Sequence, residues 1–319
     1  MKQSNNLSLF IKNLKCPCLN KTDLSYANGA YFCGGAGCCH GPSGEGFRLV
    51  DGVPVIISDK HCDTVCSPDN VVSLVKTRSG LGSRIVKVLE VTSKQTQGNC
   101  SDFISEVKKL AQRPRVIVVG SGSRGSGAQE LWECKDIEVV GVDVYASRTV
   151  SVVCDAHYLP FEDGCFEGVW VQAVLEHVVD PSQVVAEIHR VLKGKGIVYS
   201  EVPFMQHVHE GAYDFTRFTV LGHRYLFNRF ETIQLGPLQG AEVVLAWSIK
   251  YFFWSVARNR TAAKILGQIL FFLFIPLRLI VSKKSLYDSC SGSFFMGSKM
   301  VTGKVTHKEV IRLYRGCIQ

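Results

Sequence analysis

The chain predicts an α/β fold, a largely parallel sheet covered by helices, and three features from residue 115 onward predict it. Short apolar runs alternate there with amphipathic segments, the pattern of strands joined by helical crossovers. The run RVIVV (115–119) passes directly into a turn with glycines at 120, 122 and 125. The segment DPSQVVAEIHRVLKG (180–194) sets Val184, Val185, Ile188, Val191 and Leu192 at helical spacing, so that one face packs on a sheet.

Taken in order, residues 1–60 form a Cys-rich and Gly-rich module. Its turn signals lie in AYFCGGAGCCHGPSGEG, and it reads as loop-rich. Residues 61–112 form a helical connector with candidate helices in VVSLV and DFISEVKKLAQ. Residues 113–319 form the α/β domain, with an apolar helical insertion at about 240–284. After RVIVVG come a helix in SGAQELWEC, a strand IEVVGVDV ending near Asp143, and the long run CDAHYLPFEDGCFEGVWVQAVLEHV. Asp180 is placed to cap the next helix, Pro181 to open it and Gly194 to close it. FETIQLGPL reads as the sixth strand of the domain and SCSGSFFMGSK as the last, running antiparallel beside it.

Composition narrows the class. In 319 residues, 46% apolar content is ample for a core, which excludes a disordered chain. The net charge of +8 is spread over small groups such as Lys108-Lys109, Lys193 with Lys195, and Lys283-Lys284, so no long basic run marks a nucleic-acid surface. The stretch before LSLFI is too short and polar for a signal peptide, and 13 cysteines, an odd number, argue for a reducing compartment rather than a disulfide framework. A cytoplasmic location is expected.

The glycine spacing by itself fits a dinucleotide, S-adenosylmethionine or only a tight connection. Asp143, about 20 residues beyond it, is placed to accept hydrogen bonds from ribose hydroxyls. The discriminating stretch is CDAHYLPFEDGCFEGVWVQAVLEHVVDPSQVVAEIHRVLKGKGIVYSEVP. Over residues 115–203 it resembles the class I S-adenosylmethionine-dependent methyltransferases of type 11, with their D-A-x-x-L-P-F, V-L-E-H and D-P-x-x-x-x-x-E-I-x-R-V-L-K runs. Nicotinamide dehydrogenases have no such run.

The resemblance implies a Rossmann-like seven-stranded methyltransferase sheet with helices on both faces. It implies S-adenosyl-L-methionine as cofactor, with Gly120, Ser121 and Gly122 beneath its methionine and ribose portions and Asp143 on the ribose. It also implies Asp155 and Ala156 at the adenine, and Ala173 and the LEHV segment, with Glu176 and His177, lining the pocket. Two positions depart from the family: Val118 stands where an acid is usual, and Arg124 where a third glycine is common. A catalytically degenerate scaffold that kept the fold is therefore an alternative. A nucleic-acid methyltransferase is a further one, although the chain has EVPF where such enzymes carry an N-P-P-Y type tetrapeptide.

VPFMQHVHEGAYDFTRFTVLGHRYLF resembles, more loosely, the post-strand segment of methyltransferases of glycan and surface-polysaccharide functions. It implies His207 and His209 as candidate bases for a hydroxyl acceptor, and Glu210, Asp214 and Arg217 as substrate contacts. A small-molecule, glycan or lipid-linked acceptor is expected. The N-terminal LKCPCLN, YFCGGAGCC and FRLVDGVPVIIS resemble zinc-ribbon-like modules. A structural zinc ion would take four ligands from Cys16, Cys18, Cys33 and Cys38, with Cys39 and His40 in reserve, although C-x-C is not the usual knuckle spacing. Residues 265–281 are strongly apolar but too short for a confident span, and Arg258, Arg260, Arg278, Lys283 and Lys284 flank or interrupt them. A peripheral membrane contact through 251–284 is expected, with a buried dimerisation or core helix as the alternative.

Overall fold

The computed structural model describes residues 14–71 and 94–317, and the chain divides into two compact units. The first holds residues 14–71, 94–171 and 182–198, and the second holds 172–181 and 199–317. LSLFI, most of VVSLV and much of the 61–112 connector lie outside the described residues.

The Cys-rich module carries four short strands set among longer loops. β1 (Leu24–Ala27) and β2 (Ala30–Cys33) form a hairpin through Asn28-Gly29, and β3 (Phe47–Val50) and β4 (Val53–Ile56) form another through Asp51-Gly52. Both turn pairs have positive φ (50° and 82°, then 51° and 81°), the left-handed geometry that Asn-Gly and Asp-Gly supply for two-residue hairpins. β4 then pairs in parallel with β7 (Val152–Cys154), Val55 opposite Val153 and Ile56 opposite Cys154. With β5 (Arg115–Val119), β6 (Glu138–Asp143) and β8 (Phe166–Gln172), the strand order in this unit is β1-β2-β3-β4-β7-β6-β5-β8. Eleven strands are therefore present among the described residues rather than seven, because the module contributes four.

The β5 run is continuous Val and Ile because parallel strands are covered on both faces. One cover is α1 (Lys94–Lys108), which buries Cys100, Phe103, Ile104 and Val107, with the Phe103 ring edge-on to Trp170 at 5.4 Å. Gly168 of β8 allows this approach, since a Cβ there would lie 2.9 Å from both Phe103 and Val107.

The helix after the glycine turn is shorter than SGAQELWEC. α2 spans only Gln129–Glu133, because Gly127 sits at φ 87° against Thr96 and cannot open a helix. α3 (Pro181–Val191) begins at Pro181 as expected, but Gly194 does not close it. The chain passes directly into β9 (Leu192–Pro203), and the left-handed residue there is Lys195, at φ 65°.

In the second unit the strand order is β9-β11-β10, with β10 (Phe230–Pro237) and β11 (Gly292–Lys299) antiparallel, as the sequence predicts for the last two strands. α4 (Val220–Leu226) precedes β10, capped by the Thr219 hydroxyl oxygen, which accepts from the Gly222 N–H at 3.0 Å. Between β10 and β11 lie α5 (Ala241–Ala257), α6 (Arg260–Phe274) and the short α7 (Ser285–Ser289). Gly267 brings α6 against Lys250 of α5, where a Cβ would meet the lysine stem at 2.7 Å. Among the described residues no helix is long and apolar enough to cross a membrane. α8 (His307–Ile311), with a capping box formed by Thr306 and Glu309, follows β11.

Candidate functional site

The glycine turn leaves the carboxyl end of β5. Gly120 takes φ 77°, which L side chains rarely adopt, and the Gly120 and Ser121 N–H groups both donate to Val142 O, at 2.9 and 3.0 Å. The Gly122 N–H donates to Asp143 Oδ2 at 2.6 Å, and a Cβ at Gly122 would lie 2.9 Å from that oxygen. The turn therefore rests on Asp143 at the end of β6, and only glycine fits there without displacing the carboxylate. Burial raises Asp143 above the ordinary aspartate value, against the Gly122 and Tyr145 N–H bonds that favour its charge. Ser121 is fully buried, its hydroxyl bonded toward the Val142 and Thr149 carbonyls, so it contributes structure rather than an exposed donor. Val118, where the family carries an acid, is a buried β5 side chain, and Arg124 is exposed.

Asp155 caps a short 3-10 turn of Ala156–Tyr158 and is buried. Oδ1 accepts from the His157 N–H at 2.9 Å and lies 2.6 Å from Nδ1 of the same histidine, while Oδ2 accepts a short bond from the Thr64 hydroxyl. Burial alone would push its pKa up, but the His157 and Thr64 bonds outweigh it and the carboxyl is lowered. Both oxygens are thus engaged by protein, one of them by a residue of the N-terminal segment that sequence reasoning did not single out.

The remaining candidates belong to the second unit. Ala173 sits at φ 54° with its N–H on Glu201 O at 3.0 Å. A left-handed alanine costs about 1–2 kcal/mol, and such strain concentrates at functional sites. Glu176 is 1% exposed, neither carboxylate oxygen has a hydrogen-bond partner, and burial pushes its carboxyl up to about 7. The His177 Nδ1 lies 2.7 Å from Tyr213 O and its Nε2 3.6 Å from Glu176 Oε1. His177 and His209 meet edge to face, ring centroids 4.8 Å apart.

Asp214 accepts from the His209 N–H at 2.8 Å and faces the His209 Nδ1 at 3.3 Å. The Arg217 guanidinium clamps both Asp214 oxygens, which holds that carboxyl well below the usual range. Arg217 also donates to the Gln206 and His207 carbonyls. His207 stacks on Tyr251 at 4.3 Å, its Nδ1 buried without a partner, and burial lowers its pKa. Glu210 is exposed and precedes the short turn Gly211–Tyr213.

In the module, Cys16, Cys18, Cys33 and Cys38 place their sulfur atoms within 4.8 Å of one another. Cys16 and Cys38 are 3.8 Å apart and Cys18 and Cys33 3.9 Å, far beyond a disulfide. These two separations match the ~3.8 Å edge of a tetrahedron with metal–sulfur bonds of about 2.3 Å, so the cluster is compatible with a zinc ion. His40 is not a spare ligand, because its two nitrogens face Glu45 O and the Ser58 hydroxyl at 2.9 and 2.8 Å. His61, which the sequence did not single out, lies 3.2 Å from both Cys38 and Cys39.

A family model described as a methyltransferase domain matches residues 117–200 of this chain. A 44-residue stretch is 52% identical to the ubiquinone/menaquinone biosynthesis C-methyltransferase UbiE of Desulfotalea psychrophila, covering 14% of this chain and only 18% of that enzyme. Among solved structures, the Haemonchus contortus phosphoethanolamine N-methyltransferase 2 in complex with S-adenosyl-L-methionine is 17% identical, covering 63% of this chain and 52% of its own, with a TM-score of 0.38. The Burkholderia thailandensis 1,6-didemethyltoxoflavin-N1-methyltransferase is 14% identical, covering 69% and 83%, with a TM-score of 0.40.

The turn at Gly122, where a Cβ would crowd Asp143 Oδ2 at 2.9 Å, and the half-buried Asp143 carboxylate at the end of β6 fit the ribose of a nucleoside cofactor such as S-adenosylmethionine. Both Asp155 oxygens already carry a protein partner, with Oδ2 holding only the Thr64 hydroxyl.

Proposed function

We propose that the protein transfers a methyl group from S-adenosyl-L-methionine to an oxygen of a small-molecule, glycan or lipid-linked acceptor. The observation that carries this reading is the Gly120–Gly122 turn seated on Asp143 at the carboxyl ends of β5 and β6, where open parallel sheets bind ligands. When bound, the cofactor supplies a methyl group already activated on a cationic sulfur. The chain's own work is then to orient the reactants and accept a proton. Gly120 and Gly122 let the backbone approach the cofactor, Asp143 offers carboxylate oxygens to ribose hydroxyls, and the Ala156 backbone remains for the adenine. His207, fixed by its stack on Tyr251 and with Nδ1 lacking a partner, is the proton acceptor; His209 is already braced against Asp214.

A thermal-shift titration tests the cofactor. S-adenosylhomocysteine at a hundred times its Kd is expected to stabilise the protein by about 2.7 kcal/mol, NAD is expected to do nothing, and Gly122→Ala is expected to weaken binding at least tenfold. If S-adenosylhomocysteine at millimolar concentration gives no stabilisation, the alternative gains: a scaffold that kept the fold, for which Val118 and the occupied Asp155 speak.

Two further assignments belong to this reading. Cys16, Cys18, Cys33 and Cys38 hold a structural zinc ion. The hairpin of α5 and α6 with the turn after it contacts a membrane surface, because Phe252, Ile269, Leu273, Leu279 and Ile280 are all exposed there beside Arg258, Arg260, Lys283 and Lys284.

A further inference from the structure

Among the described residues, Glu176 stands out as a buried acid with no donor on either oxygen. A carboxylate removed from water in this way carries a desolvation cost that a proton or a cation must offset. What surrounds it distinguishes the two. His177 presents Nε2 at 3.6 Å from Glu176 Oε1, and Glu176, His177 and His209 each bring one ligand atom within 4.8 Å of the others.

Both imidazoles are also oriented from behind. The Nδ1 of His177 is set against Tyr213 O at 2.7 Å, which fixes the proton there and leaves Nε2 with its lone pair toward Glu176. The Nδ1 of His209 faces the Asp214 carboxylate at 3.3 Å, and Arg217 holds that carboxylate in place. A carboxylate behind a histidine is the arrangement that sets the tautomer and basicity of metal-ligating imidazoles. The Arg217 guanidinium is committed to both Asp214 oxygens, so it does not replace a cation at Glu176.

We propose that Glu176, His177 and His209 form a divalent-cation site of two histidines and one carboxylate within the second unit. Such a ligand set suits first-row ions of the Mn2+ to Zn2+ series and leaves coordination positions open. Glu176 is the buried anchor, while the His177 and His209 side chains are 20% and 26% exposed, which leaves the site reachable from solvent. An ion there would bind oxygen ligands, and on the methyltransferase reading, on which this part rests, these are hydroxyls of the acceptor. The arrangement also separates two neighbours that the sequence could not tell apart: His209 is a ligand and His207 the proton acceptor. Asp214 is a positioning residue, acting through His209.

The test is Mn2+ binding to the purified full-length protein, followed by electron paramagnetic resonance of free Mn2+, since a hard ion avoids the thiolates of the module. One Mn2+ per chain is expected. Glu176→Gln, nearly isosteric, and His209→Gln are each expected to weaken it at least tenfold, Asp214→Asn to weaken it roughly tenfold through loss of orientation, and His61→Gln to leave it unchanged. Circular dichroism melts establish that each variant is folded.

No Mn2+ binding by the native protein at millimolar ion, or equal binding by folded Glu176→Gln, overturns the site. If Glu176→Gln does not fold, His209→Gln, at the rim of the site, decides by the same criterion. S-adenosylhomocysteine stabilisation is measured on the same preparation without added metal. Stabilisation by S-adenosylhomocysteine together with no detectable Mn2+ binding sinks the cation site alone, and Mn2+ binding with no stabilisation by S-adenosylhomocysteine sinks only the methyl-transfer reading.

Discussion

His223 gives the sharpest stability prediction. Its ring is fully buried on α4, Nδ1 lying 3.0 Å from the Ser293 hydroxyl and Nε2 2.9 Å from that of Ser200, so it joins α4 to both β11 and β9. Neither serine can balance a charged imidazolium, and the neighbouring Arg224 adds a like charge. Burial first, and then that arginine, push His223 from the ordinary 6.5 down to about 3.

The folded value lies below the unfolded one, so as the pH falls protons bind the unfolded chain first. The stabilisation is complete above about pH 6.5 and is lost progressively down to about 3. At pH 5 the unfolded chain gains about 1.5 units of protonation free energy, which at 1.36 kcal/mol per unit is about 2 kcal/mol. Guanidinium unfolding at pH 7.5 and 5.0 measures it. In His223→Gln, which keeps an amide for the serines but cannot titrate, the stability difference between the two pH values should shrink by about 2 kcal/mol. An unchanged difference would refute the reasoning.

The zinc assignment predicts about one zinc per chain by atomic emission in protein purified without chelator, falling below a tenth of that in Cys33→Ser. Equal zinc in the two proteins would remove the assignment. The membrane assignment predicts flotation with anionic vesicles, weakened at least tenfold in the double variant Phe252→Glu and Leu273→Glu, since each side chain withdraws roughly 1.5–3 kcal/mol of apolar burial. Unaltered flotation of the variant would exclude this surface as the contact.

How much of this was legible in the sequence varies with the range of the interaction. The glycine turn, Asp143 at the end of its strand and the antiparallel last pair could be read because each depends on local periodicity or on turn chemistry within a few residues. The true extent of α2 could not, since Gly127 takes φ 87° where Thr96 of another helix leaves no room for a side chain. Gly194 was a reasonable helix end by local rules, but β9 begins immediately and Lys195 takes the left-handed position instead.

The site was least legible where partners are distant in sequence. Thr64 reaches Asp155 across 91 residues, and His61 reaches Cys38 across 23, with no spacing motif to announce either. Glu176 was visible only as a letter of LEHV. Its lack of partners is a property of the folded surroundings, and no pattern in the chain encodes it.

The parallel pairing of β4 with β7 bears on how this protein should be handled. β7 is three residues long and wholly buried, and β4 covers the flank that would otherwise be an open row of peptide groups. Cutting the chain before the glycine turn, as one would to isolate a conventional catalytic core, would strip that strand away together with the Thr64 hydroxyl that holds Asp155. The shortened product would present an exposed β edge, so fusions and tags are better placed where residues 14–64 are kept intact.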